Sequence, residues 1–257
     1  MAEWFEEWFG EEYLQLYPHR DDADAERVVG LIRRTLPWRD GWRTLDVACG
    51  AGRHARALEL AGARPIGLDL SASLLRRARE VTDASLVRAD MRWLPIRARS
   101  TDLTVNLFTS FGYFEGDDEH ARALAAMVRT VRRGGWFVLD YLNASAVRAR
   151  LAERHTTGAP HGAEADRRLS EDGRFVCKTI RTPDGRRFVE RVRLFSPAEL
   201  EAMLQRAGLA IRHRFGDYAG APLSDGAPRT VLMGQIEESG LNAADGVSGD
   251  GADGPAR

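Results

Sequence analysis

Residues 45–55 read LDVACGAGRHA, and they decide the fold. The apolar run RTLDVA (43–48) leads into the CGAG turn, and the turn opens the helix-patterned RHARALELAG. A strand delivered through a glycine turn into a helix starts a parallel βαβ unit. Gly50 and Gly52 let the backbone turn sharply and approach a ligand with no Cβ in the way. The helix behind them offers free backbone N–H groups and the positive end of its dipole, which suit an anionic group. Taken alone, Gly50-x-Gly52-x-x-Ala55 also fits the dinucleotide fingerprint G-x-G-x-x-G/A.

Outward from this turn the rhythm repeats. ARPIGLDL (63–70) reads as the second strand and SASLLRRAREV as the helix after it, with Ser71 as cap. ASLVRAD (84–90) is a third strand, DLTVNLF (102–108) a fourth and GGWFVLDYL (134–142) a fifth, with a helix at 117–132 before the last. Such alternation implies right-handed crossovers and a mostly parallel sheet with helices on both faces. After Asn143 it breaks. Residues 144–163 read as a short helix and a Gly/Pro/His loop, followed by strand-like runs at about 164–170, 174–181 and 187–195. Asp172-Gly173 and Pro183-Asp184-Gly185 separate these runs as turns, so they form a small inserted antiparallel sheet. Ser196-Pro197 opens a helix that Gly208 stops, and two further strands follow at 209–217 and 229–236. Upstream, Trp4, Phe5, Trp8 and Phe9 share one stripe of a helix at 2–14, and residues 22–35 form a second helix ending before Pro37.

Composition narrows the function. Lys and Arg number 37 against 38 Asp and Glu, a net charge of −1 that argues against a duplex nucleic-acid binder. Hydrophobic residues make up 44%, the level of a globular chain. No apolar run approaches the ~18–20 residues that span a bilayer, so no membrane association is expected. The start, MAEWFEEWFGEE, lacks the basic, then apolar, pattern of a secretory signal. Cys49 and Cys177 lie far apart and outside any metal-ligand spacing, and the six histidines show no H-E-x-x-H pattern. A cytoplasmic protein without a metal is expected. Lys178 is the only lysine, a matter of genome composition.

Three acidic residues separate the readings of the glycine loop. Asp46 lies inside the first strand, where a dinucleotide fold has an apolar residue; it either meets the ligand or fixes the loop through backbone N–H groups. Asp69 ends the second strand, where a carboxylate accepts from ribose hydroxyls. Asp90 ends the third, where a carboxylate accepts from an exocyclic adenine amine. All three are expected to face one crevice at the carboxyl ends of the strands.

LDVACGAG, GLDLS, RADM and NLFTSFGYF resemble the successive motifs of class I S-adenosylmethionine-dependent methyltransferases. The resemblance runs motif by motif over about residues 40–142 and more loosely to 236. It implies a Rossmann-like α/β fold: a seven-stranded sheet whose last strand is antiparallel. It also implies S-adenosyl-L-methionine as methyl donor, S-adenosyl-L-homocysteine as product and no metal. The implied cofactor-binding residues are Asp46, Ala48, Gly50, Gly52, Asp69, Leu70, Asp90, Met91 and Phe108. In that family pattern the 48–52 backbone holds the methionine moiety, Asp69 the ribose, and Asp90 with Met91 the adenine edge. Phe108 lies beside the cofactor. Ala48 stands where many members have Gly, and a compact backbone of negative φ is expected there.

FTSFGYF (108–114) resembles the segment after strand four in glycine N-methyltransferase-like and amino-sugar N-methyltransferases, which also carry an extra antiparallel sheet. The Asn/Asp-Pro-Pro-aromatic signature of nucleobase N-methyltransferases does not occur. A small-molecule acceptor, an amine, is therefore expected. The domains implied are an N-terminal helical lid at 1–38, a methyltransferase domain at 39–236 and a disordered tail at 237–257. Tyr113, Tyr17 and Arg229 are candidates for positioning the acceptor, with Phe111 beside the tyrosines in a covered chamber. The safer reading of Arg229 is a solvated arginine, and of Cys49 a packing residue. Two rivals stand. An NAD-dependent oxidoreductase would use Gly50, Gly52, Ala55 and Asp69, but it leaves Asp90 and FTSFGYF unexplained. A non-catalytic adenosylmethionine-binding interaction protein would keep the crevice without turnover.

Overall fold

A computed structural model of the chain describes residues 4–10, 13, 22–152, 164–182 and 184–237. The helices are α1 (Trp4–Trp8), α2 (Asp22–Thr35), α3 (Arg53–Leu60), α4 (Ala72–Ala78), α5 (Asp117–Thr130), α6 (Ala144–Ala152) and α7 (Pro197–Arg206). The strands are β1 (Arg43–Val47), β2 (Arg64–Asp69), β3 (Ser85–Arg88), β4 (Thr101–Asn106), β5 (Val131–Leu142), β6 (Glu164–Leu169), β7 (Phe175–Arg181), β8 (Arg187–Arg193), β9 (Ala210–Phe215) and β10 (Arg229–Gln235).

Seven strands form one sheet in the order β3-β2-β1-β4-β5-β10-β9. β1 pairs in parallel with both β2 and β4, while β10 runs antiparallel to both β5 and β9. The chain winds outward from β1 to β3 and then back across to β4. The crevice opens where those two directions part, beyond the carboxyl ends of β1 and β4.

Period-two alternation divides the strands between two cores. Phe137, Leu139 and Leu232 point to the face covered by Leu124, Met127 and Val128 of α5 and by Leu200 and Leu204 of α7. Trp136, Val138, Val231 and Met233 point to the opposite face, where Val28, Val29, Leu31 and Ile32 of α2 pack. Helix α2 thus packs into the core on this face. Only its first residue, Asp22, reaches the cavity described below. Local signals hold elsewhere. Ser71 Oγ accepts from Leu74 N–H at 3.2 Å, and Ser196 caps α7 in a reciprocal box with Glu199, with Pro197 in the first turn.

β6, β7 and β8 form the inserted antiparallel sheet. Its Ile180 and Phe188 pack on Trp8 of α1, and Trp8 Nε1 donates to Glu190 at 2.8 Å. The sheet is tied to the main domain where Arg193 N–H donates to the Gly112 carbonyl at 2.8 Å. The buried Tyr141 hydroxyl donates to the Arg193 carbonyl. The insertion and α1 together therefore stand against the segment after β4. Tyr17 and the tail from 238 lie outside the described residues. Among the described residues, no helix is long and apolar enough to cross a membrane.

Candidate active site

A cavity of about 1080 Å³ lies beyond the carboxyl ends of β1, β2 and β3. Of the residues singled out in the sequence, Ala48, Gly50, Asp69, Leu70, Asp90, Met91, Phe108 and Tyr113 line it. Asp46, Gly52 and Arg229 are not on its wall, and each has a different physical task.

The loop after β1 is left-handed at three points: Ala48 at φ 59°, Gly50 at φ 56° and Gly52 at φ 87°. Ala48 thus departs from the negative φ expected of it, at a cost of about 1–2 kcal/mol for a residue with a Cβ. The two glycines differ. A Cβ on Gly50 would meet nothing within 4 Å, whereas one on Gly52 would stand 2.9 Å from Ala78 Cβ and 3.2 Å from Thr82 Cγ2. Gly50 leaves backbone open to the cavity, and Gly52 lets α3 and α4 approach each other.

Asp69 clamps this loop. One carboxylate oxygen accepts from Gly50 N–H at 2.8 Å and the other from Ser71 N–H at 2.8 Å. Burial raises its pKa, and these two N–H bonds oppose the rise. Asp90 is held by Arg92, whose Nη2 lies 2.6 Å from Oδ2 and whose backbone N–H donates to Oδ1 at 2.7 Å. Arg92 also donates to Glu119 at 2.6 Å, joining this part of the wall to α5. Asp46 is fully buried, so the expectation of three carboxylates on one crevice holds for two. It bonds the Ala55 backbone at the start of α3, and its Oδ2 has no hydrogen-bond partner. Burial first, then the nearby Asp69 charge, pushes its pKa up to about 8, leaving it protonated at neutral pH. Cys49 is a buried free thiol raised by that same burial, in keeping with packing.

The opposite wall begins where β4 ends. Phe108 and Thr109 are both left-handed, at φ 59° and 62°, an arrangement that two successive residues with side chains rarely adopt. The ring of Phe108 lies 4.2 Å from the Arg53 guanidinium and 5.5 Å from that of Arg229. Arg229 is neither solvated nor on the cavity wall. Its side chain is 19% exposed and its Nε donates to the buried Asp140 carboxylate at 2.8 Å. Tyr113 packs among Trp4 and Phe9 at ring distances of 5.2 and 5.5 Å, and Phe5, Phe9 and Tyr13 complete the cover. Phe111 belongs to the core: it is fully buried against Phe195 and His120. Sequence reading missed Asp140, Tyr218, Arg53 and Arg92. Asp140 had one signal, a lone carboxylate in the apolar run GGWFVLDYL, which burial obliges to find partners.

Among the described residues, no group of three His, Cys, Asp or Glu side chains could hold a metal ion. Residues 44–135 match the family model described as "Methyltransferase domain". The chain is 28% identical over 226 residues to the dTDP-3-amino-3,4,6-trideoxy-alpha-D-glucopyranose N,N-dimethyltransferase of Streptomyces venezuelae, covering 80% of this chain and 90% of that one. The CcbJ methyltransferase from Streptomyces caelestis shares the fold, with a TM-score of 0.73 at 19% identity over 90% of this chain and 98% of that one. The dTDP-4-amino-2,3,4,6-tetradeoxy-D-glucose N,N-dimethyltransferase of Saccharopolyspora spinosa is 30% identical over 206 residues, covering 73% of this chain and 78% of that one. At that identity and coverage, on this fold, the chain belongs to the class I S-adenosylmethionine-dependent methyltransferases.

Proposed function

We propose that this methyltransferase acts on an amine nitrogen of a small acceptor held between Phe108, Tyr113 and the aromatic cover. The observation that carries the reading is the aromatic lining of the cavity. At about 1080 Å³ the cavity has ample room for a small molecule beside the cofactor, and Phe5, Phe9, Tyr13 and Tyr113 give it an aromatic wall. Such a wall suits a small metabolite. The two relatives are named for N,N-dimethylation of dTDP-linked amino sugars. Arg53 and Arg56 on the wall give the diphosphate of such an acceptor a cationic partner.

The residues present fit the cofactor. Gly50 leaves a cradle that a Cβ would enter, beside the paired Asp69 carboxylate and the apolar Leu70 and Met91. When bound, adenosylmethionine supplies a methyl group on a sulfonium, activated for in-line displacement. The protein's share is orientation. Asp69 has its oxygens fixed by two backbone N–H groups and keeps lone pairs for ribose hydroxyls. Asp90, locked by Arg92, does the same at the adenine edge. Fixing donor and acceptor in line contributes roughly 7–11 kcal/mol in favourable systems. The tyrosine faces hold an amine without a full counter-charge, so its neutral, nucleophilic form stays accessible. Free thiols at Cys49 and Cys177 suit a reducing cytoplasm.

The test is a screen with labelled methyl donor over amines (dTDP-linked amino sugars among them), hydroxyl compounds, RNA and protein. Label is expected in a small amine, at a rate rising with pH as the acceptor deprotonates. Labelled RNA or protein with every amine inert overturns the reading.

A further inference from the structure

Behind the cavity wall, Asp140 gathers donors from three parts of the chain. Its Oδ2 accepts from Phe108 N–H at 2.8 Å and from the Tyr218 hydroxyl at 2.7 Å, and its Oδ1 from Arg229 Nε at 2.8 Å. The second branch of Arg229 donates to Thr109 Oγ1 at 3.0 Å, and the Asp140 carbonyl accepts from Thr109 N–H at 3.0 Å. Both N–H groups of the left-handed pair are therefore held by one residue. Tyr218 is steadied in turn by Arg34 of α2, which donates to its carbonyl at 2.7 Å.

A pair that merely joined neighbouring strands would need only Asp140 on β5 and Arg229 on β10. Here the remaining bonds converge on Phe108–Thr109. Phe108 faces the cavity, whereas Asp140, Arg229 and Tyr218 do not. The backbone at 108–109 is one that L-residues leave unless held.

We propose that Asp140, Arg229 and Tyr218 form a positioning unit for methyl transfer, which holds the Phe108–Thr109 turn in its left-handed form and so fixes the Phe108 ring against the methyl donor. The unit touches no reactant and acts through Phe108. The inference rests on family membership and on the cavity, and it is independent of which acceptor is used.

The test therefore needs no acceptor. Tyr218→Phe and Thr109→Val each remove one hydroxyl bond from the unit, and Arg229→Gln removes the charge; Phe108→Leu is the reference. Three quantities are read: amide hydrogen exchange at 108 and 109, the methyl resonance of bound adenosylmethionine carrying a labelled methyl carbon, and the affinity for adenosylhomocysteine. In Tyr218→Phe and Thr109→Val the two amides are expected to exchange about tenfold faster, with the melting temperature close to wild type. The bound methyl resonance is expected to move in the direction seen for Phe108→Leu, while adenosylhomocysteine affinity changes by less than about threefold. A methyl resonance unmoved in these variants, or in Phe108→Leu itself, overturns the proposal. So does a lowered melting temperature with exchange at 108 and 109 unchanged, which would make the cluster a fold anchor. If Arg229→Gln fails to fold, the two hydroxyl variants still decide.

Discussion

On one wall of the cavity, each ligand-facing group arrives within a few residues of a strand end: Gly50 after β1, Asp69 on β2, Asp90 after β3. On the other wall, Phe108 N–H is held by a residue 32 positions on and the Thr109 hydroxyl by one 120 positions on, and Tyr113 packs on the N-terminal helix. The first wall is made of glycines, backbone N–H groups and carboxylates, which any chain can place with a short local motif. The second is made of aromatic packing and a buried ion pair, which exist only once distant elements have met.

The comparison breaks most visibly at the glycines. Gly52→Val places a side chain at φ 87° and into Ala78, whose Cα is 3.1 Å from the new Cβ. Strain and overpacking together are expected to cost about 3 kcal/mol or more, read by denaturant unfolding. Gly50→Ala, at φ 56° with open space around it, should cost the fold only about 1–2 kcal/mol. Its methyl enters the cavity, so its larger effect should be on adenosylhomocysteine affinity. Equal stability losses in the two variants would show that the loop does not divide its tasks in this way.

Asp69→Ala comes next. The carboxylate's bonds to Gly50 and Ser71 shape the loop, and hydrogen bonds to a charged group contribute about 1.5–3 kcal/mol each. Calorimetry is expected to show adenosylhomocysteine affinity reduced by about one to two decades in a folded variant. Unchanged affinity would remove Asp69 from the cofactor wall.

Asp46 yields a pH-dependent effect. Burial, then the Asp69 charge, raises its carboxyl from 3.8 to about 8. Between those values the native protein keeps a proton that the unfolded chain has released. The associated stability is full below the unfolded value and is lost as pH rises toward and through about 8. Asp46→Asn should flatten the fall in melting temperature between about pH 5 and pH 8. An unaltered slope would mean that the carboxyl ionises normally in the fold.

Legibility in the sequence follows the same divide. The strand, glycine turn and helix at 43–60 could be read because periodicity and glycine act over a few residues, and the strand-end positions of Asp69 and Asp90 bring both to the cavity wall. The inserted sheet was readable from Asp172-Gly173 and Pro183-Asp184-Gly185. What could not be read depends on tertiary contact. Arg229 looked solvated because its partner Asp140 is 89 residues away. Phe111 was placed in the chamber, while the Phe195 ring that takes it into the core comes from beyond the insertion. Ala48 has a left-handed backbone with no glycine to announce it.

The separation of the two walls is tested most directly at Tyr113, on the wall we propose for the acceptor. Tyr113→Phe keeps the ring packed on Trp4 and Phe9 and removes only the hydroxyl. The measurement pairs turnover on the best amine from the acceptor screen with adenosylhomocysteine affinity in the same preparation. The account predicts turnover lower by about tenfold, with affinity within about threefold of wild type. Affinity that falls in step with turnover, or turnover left unchanged, would contradict it.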